Sequence, residues 1–85
     1  MTYLPIGTVV TLKDGSQPVM IYGRQQMNAD NRSIYDYLAC LYPEGNLGED
    51  YNIFFNVGDI GHILFEGFRT KIDSEMQKLM NSGMN

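Results

Sequence analysis

Cysteine and histidine occur once each, at Cys40 and His62, and only six basic residues stand against ten acidic ones in 85 positions. A single cysteine excludes an internal disulfide. Set in Leu38-Ala39-Cys40-Leu41, it reads as a small buried apolar residue. A nucleophilic role needs a nearby base, and His62, far off in sequence, does not supply one. A lone histidine in a strand is more often a surface or hydrogen-bonded residue than a metal ligand. The bases Lys13, Arg24, Arg32, Arg69, Lys71 and Lys78 are scattered, whereas a phosphate backbone requires a concentrated positive face, so no nucleic acid is expected as a partner. No stretch approaches the ~20 apolar residues that span a bilayer, so no membrane is expected either. The opening MTYLPIGTVV lacks the basic start and long apolar core of a signal peptide. No glycine-rich turn leads into a helix in the manner that phosphate binding requires. These absences lead us to expect a cytoplasmic protein without cofactor or metal, in keeping with a reducing compartment.

What is present describes a globular chain: 44% hydrophobic and 19% charged residues, with a net charge of −4. Eighty-five residues make a single domain spanning 1–85, which buries roughly 60–65% of its unfolded surface. Stability on the order of a few kcal/mol leaves little surplus for strained or poorly solvated catalytic groups.

The first β-branched run, Ile6–Leu12, lies between Pro5 and Lys13-Asp14-Gly15-Ser16. Asp-Gly is a strong turn signal, so a second strand at 19–24 is expected to pair with it as an antiparallel hairpin. Residues 25–33, QQMNADNRS, follow neither period and read as a mobile loop. The longest strand is expected at 34–42, with Ile34, Asp36, Leu38, Cys40 and Tyr42 on one face and Tyr35, Tyr37, Ala39 and Leu41 on the other. Its nearly apolar faces fit a central position covered on both sides. After the glycine-rich turn at 43–48 and the acidic Glu49-Asp50, the segment NIFFNVGDIGHILFEGF holds two apolar runs of strand type. It predicts strands at 52–55 and 62–68, joined by one helical turn with Asn56 at its N-cap and Asp59 favouring its free amides. The second of these strands should place Ile63 and Phe65 on one side. From Thr70 the period changes: Ile72, Met76, Leu79 and Met80 form one helical stripe. Thr70 with Asp73 resembles a capping box and Gly83 a C-cap, predicting a helix over 71–82. The expected architecture is mainly β (α+β): a small SH3-like five-stranded bent sheet or open barrel with a C-terminal helix.

Little in this pattern carries chemistry. Glu44, Asn46, Glu49 and Asp50 share a loop, but their spacing does not match a calcium loop, and a solvated acidic turn is the plainer reading. Asp36, on an otherwise apolar strand, must be paired, with Arg24 for example, or satisfied locally. The conspicuous supply is aromatic: six tyrosines and four phenylalanines are much for one small core. Tyr22, Tyr35, Tyr37, Tyr42 and Tyr51 combine ring area with a polar tip, as interfaces prefer. Met76 and Met80 add adaptable contact area on the helix, with Met84 beyond them. These seven, Tyr22, Tyr35, Tyr37, Tyr42, Tyr51, Met76 and Met80, are the candidate partner-binding residues. The alternative is that the tyrosines only cap a thin core.

The run LPIGTVVTLKDG (4–15), Met20-Ile21-Tyr22-Gly23-Arg24, Tyr35-Asp36-Tyr37, YPEGNLG (42–48) and Phe55-Asn56, Asp59-Ile60 and LFEGF (64–68) together resemble one family. It is a family of small domains of unknown function from Gram-positive bacteria, and the similarity runs from about Leu4 to Gln77. The chain departs from it at Val57-Gly58 and Gly61-His62, where relatives tend to be more acidic. Such domains tend to accompany genes for toxins exported by the type VII secretion system. The resemblance implies an accessory, adaptor or chaperone-like role toward a protein partner, a secreted toxin or its targeting factor, and carries over no catalytic residue. The expectation is therefore a non-enzymatic protein-binding module of undetermined oligomeric state. An immunity protein, whose acidic balance masks a toxin's basic site, is the alternative.

Overall fold

Val10 and Leu12, Val19 and Ile21, Tyr37 and Ala39, and Ile53 and Phe55 fall on one side of their strands, and these residues build the core. In the computed structural model, which describes residues 1–82, β1 (Val9–Leu12), β2 (Val19–Met27), β3 (Ile34–Leu41), β4 (Ile53–Phe55) and β5 (Ile60–Phe65) form one antiparallel sheet. Its order is β4-β3-β2-β1-β5, and it is bent and not closed into a barrel. One α-helix, α1 (Lys71–Asn81), follows among the described residues. It packs on the core side through Met80, with Met76 at the margin.

The N-terminal segment fills the space between sheet and helix. Tyr3 is buried, and its ring meets Tyr37 edge-on at 6.0 Å, while Tyr37 lies 5.4 Å from Phe55. Side chains satisfy the backbone of Tyr3 and Leu4. The Tyr3 N–H donates to Gln77 Oε1 and the Leu4 N–H to the Tyr37 hydroxyl. The Tyr3 carbonyl accepts from Gln77 and Arg69, and that of Leu4 from Arg24.

Several boundaries differ from the sequence reading, each for a local reason. The first strand begins at Val9 rather than Ile6, because Gly7 takes φ +92° and the Thr8 N–H turns back to Pro5 O. The second continues through Gln25 to Met27, so residues 25–33 are not simply a loop. A bulge between Ile21 and Gly23, and a positive φ at Gln25, hide the pairing of Gln26 with Tyr35 and Met27 with Ile34. The remaining turn is closed by Asn28 and Asn31 side chains accepting from Asp30 and Ser33 N–H groups, as Asx turns do. The third strand is flanked by β2 and β4, with the expected core face; on its other face Cys40 is buried and Ile34 exposed. The last strand spans Ile60–Phe65 instead of 62–68. Register shifts against β1 set Ile63 opposite Val10 but Phe65 opposite Val9, so the two are not on one side as strict alternation requires.

The turn at Val57–Asp59 forms as expected with Asn56 at its N-cap, and the Asp59 carboxylate accepts from the Asn56 N–H. Asp36 is satisfied here and not by Arg24: it accepts from the Val57 N–H, while Asn56 Oδ1 accepts from the Asp36 N–H. Thr70 caps α1 through the Asp73 N–H. The proposed Gly83 cap and Met84 lie outside the described residues. The apolar stripe is only half used: Met80 is buried, but Ile72 is 73% exposed and Leu79 is also exposed. Asp73, one turn before Met76 and Gln77, is buried instead. Its carboxylate meets Arg24 at 2.6 Å and Arg69 at 2.5 Å. This three-membered cluster fixes the rotation of the helix, since turning Ile72 inward would pull Asp73 from both guanidinium groups.

Candidate partner-binding surface

The sheet has two faces, and the helix occupies one. On the other, Val9, Met20 and Cys40 line up across β1, β2 and β3. Beside them Gly7, Val9, Pro18, Met20, Tyr42, Leu64 and Phe65 enclose a cavity of about 500 Å³ that is open to solvent. Tyr42 contributes the cavity's only ionisable side chain. A hollow with so little polar lining suits an apolar or aromatic side chain. A second hollow of about 220 Å³, between the β2–β3 turn and Asn52, includes Asp30 and Glu49 and is far more polar.

One wall of the cavity belongs to β5, an edge of the sheet. Gly61 lies tight on β1, its Cα facing the Leu12 carbonyl, and Gly67 is seated against the Ile6–Thr8 backbone with its N–H donating to Thr8 Oγ1. These close approaches hold β5 and the following residues on β1 while the side chains between them project outward. Ile63, Leu64 and Phe65 are 52%, 56% and 62% exposed, and Phe68 is 85% exposed. Single exposed apolar residues are common, but Leu64 and Phe65, exposed on the wall of one apolar cavity, mark an interaction site.

The candidate residues named from sequence divide between several places. Tyr42 lines the cavity and is exposed. Tyr51 is exposed in the Glu49–Tyr51 turn. Tyr22 is half-buried, donating its hydroxyl to Asn52 Oδ1 at 2.5 Å. Tyr35 is half-buried, accepting from Asn31 and tilted against Phe54 at 5.6 Å. Tyr37 and Met80 are core residues with no surface to offer, a correction to their reading as contact residues. Burial pushes the Tyr37 hydroxyl above its ordinary pKa, although the hydrogen bond from Leu4 opposes this. Met76 is half-buried at the helix margin. The structure therefore does not gather the seven into one site. The residues it does gather, Met20, Tyr42, Leu64 and Phe65, were read mostly as sheet packing. The available signal was that Ile60–Phe65 is free of Lys, Arg, Asp, Glu and Pro.

Electrostatics separate this surface from the helix side. Burial would raise the Asp73 carboxyl, but hydrogen bonds from Arg24 and Gln77 and the charges of Arg24 and Arg69 outweigh it, holding the group below the usual carboxylate range. With both arginines committed to Asp73, the remaining charge is acidic: Lys13, Arg32, Lys71 and Lys78 stand against nine carboxylates. No helix among the described residues is long and apolar enough to cross a membrane.

Against known proteins, a family model described as "Domain of unknown function (DUF4176)" matches residues 3–76. Neither the curated proteins nor the solved structures contain a match to the chain.

Proposed function

Because the chain belongs to the DUF4176 family of domains of unknown function, its role has to be read from its own surface, and we propose that it is a non-enzymatic protein-binding module. The observation that carries this reading is the apolar cavity walled in part by the exposed Leu64 and Phe65. A small domain that leaves Leu64, Phe65 and Phe68 outside, while burying Asp73 against two arginines to hold its helix, places apolar area where another chain reaches it. The class of partner comes from the resemblance described above, to domains that accompany type VII secretion toxins. The module then acts in the cytoplasm as an adaptor or chaperone-like accessory of such a toxin.

Capture tests this directly. The tagged protein, co-expressed with the toxin encoded beside its gene, should co-purify as a 1:1 complex on size exclusion. Separate elution of the two chains would refute the proposal.

The acidic excess on the outer surface favours a second reading, an immunity protein that covers a toxin's basic active site. Growth separates the two. An immunity protein restores growth when co-expressed with the isolated toxic domain, whereas an adaptor does not.

A further inference from the structure

We propose that β5 takes up, by strand addition, an extended segment of a partner protein whose alternate residues are apolar and whose flanks carry Lys or Arg. This rests on the protein-binding reading above and specifies its chemistry. The two edges of the sheet are built differently. β4 is three residues long. Its flanks are tied down by Tyr22 on Asn52 and by Asp36 on Val57. A short, fastened edge is protected against pairing. β5 runs for six residues, Ile60-Gly61-His62-Ile63-Leu64-Phe65, and apart from its register shifts against β1 it has no formal charge or proline to blunt it. The outer side of such a strand presents unpaired N–H and C=O groups, the template that an added strand needs. Alternate side chains of that strand come to lie beside Leu64 and Phe65, which form part of the cavity wall.

Charge decides the occupant. Asp59 precedes β5 and Glu66 follows it, both exposed, and Glu44 stands two residues past Tyr42 of the cavity. Lys13, whose N–H donates to Asp59 O, offsets the first of these, so the acidic character is greatest at the Glu66 end. A second copy of this chain would bring its own −4. Antiparallel pairing of two β5 strands would also turn Asp59 of one toward Glu66 of the other, and like charges so opposed are destabilising. A segment with basic flanks meets the opposite sign instead.

The test titrates the isotope-labelled full chain with two synthetic peptides, Lys-Lys-Val-Thr-Val-Thr-Val-Lys-Lys and the same sequence with Glu in place of Lys. The basic peptide should shift the amide signals of Ile60–Phe65 and slow their hydrogen exchange at least ~tenfold. Its binding should weaken severalfold as salt rises from about 50 to about 300 mM. The acidic peptide should do neither, and Leu64→Lys should abolish the response without lowering the melting temperature. Equal response to both peptides, response to neither, or a response centred on β4 or α1 would overturn the proposal. So would β5 amides protected without peptide in a concentration-dependent dimer, which would make a second copy the occupant. If the toxin is still captured while the peptides fail, strand addition falls and the protein-binding reading stands. If capture fails too, both fall.

Discussion

The side-chain amide of Gln77 engages both backbone groups of Tyr3: the Tyr3 N–H donates to Oε1 at 2.7 Å, and Nε2 donates to the Tyr3 carbonyl at 2.8 Å. One glutamine thus stands in for a neighbouring strand and fastens the N-terminal segment between helix and sheet. Gln77→Ala leaves the buried Tyr3 amide unpaired, and its carbonyl keeps only Arg69. The expected cost is about 1–3 kcal/mol. Urea unfolding measures it, and hydrogen exchange should show the Tyr3 amide losing protection first.

Asp73 joins α1 to β2 through Arg24 and to its own approach segment through Arg69. Asp73→Asn removes the charge both guanidinium groups depend on, and Arg24 is itself nearly buried. Loss of one partner from such a cluster costs about 3 kcal/mol, readable as a lower urea midpoint at neutral pH.

The same residue makes stability pH-dependent. Its folded pKa is depressed, so its contribution is present above the unfolded value of about 4 and is lost as the pH falls through the folded value. Asp73→Asn should therefore flatten the acid limb of the stability curve as well as lower its plateau. An acid limb as steep in the variant as in the parent would assign the loss to other carboxylates.

Gly67 has no room for a side chain: a Cβ there would clash with the Ile6 carbonyl oxygen. Gly67→Ala must push β5's continuation away from the Ile6–Thr8 turn, at about 2 kcal/mol or more. Gly58 meets nothing within 4 Å, and Gly58→Ala should stay within about 0.5 kcal/mol of the parent. Thermal unfolding of the pair separates crowding from any general intolerance of these glycines.

Much of this fold was legible because it follows local rules. The Asp14-Gly15 turn, the two faces of β3, the helical turn after Asn56 and the Thr70 cap are each written in a few adjacent residues. What escaped depends on partners distant in the chain. The extension of β2 to Met27 passes through a bulge and a left-handed Gln25, neither of which has a period to detect. The rotation of α1 is set by Arg24, some fifty residues from Asp73, so the apolar stripe alone pointed Ile72 the wrong way. The surface was missed for the same reason. Leu64 and Phe65 look like core residues until the strand order makes β5 an edge, and strand order is not written in alternation. Tyr37 errs in the opposite direction: its hydroxyl suited an interface, but Leu4 uses it inside the core.

The partner is expected to bind at the apolar residues of β5, Leu64 and Phe65. Isothermal titration of the neighbouring toxin with the parent chain, the double variant Leu64→Lys/Phe65→Ser and the exposed control Tyr51→Ser tests it most directly. All three side chains replaced in this way are exposed and leave the core untouched, so melting temperatures should agree. The double variant should bind at least ~100-fold more weakly, with the control close to the parent. Full affinity in the double variant, with its fold intact, would contradict it.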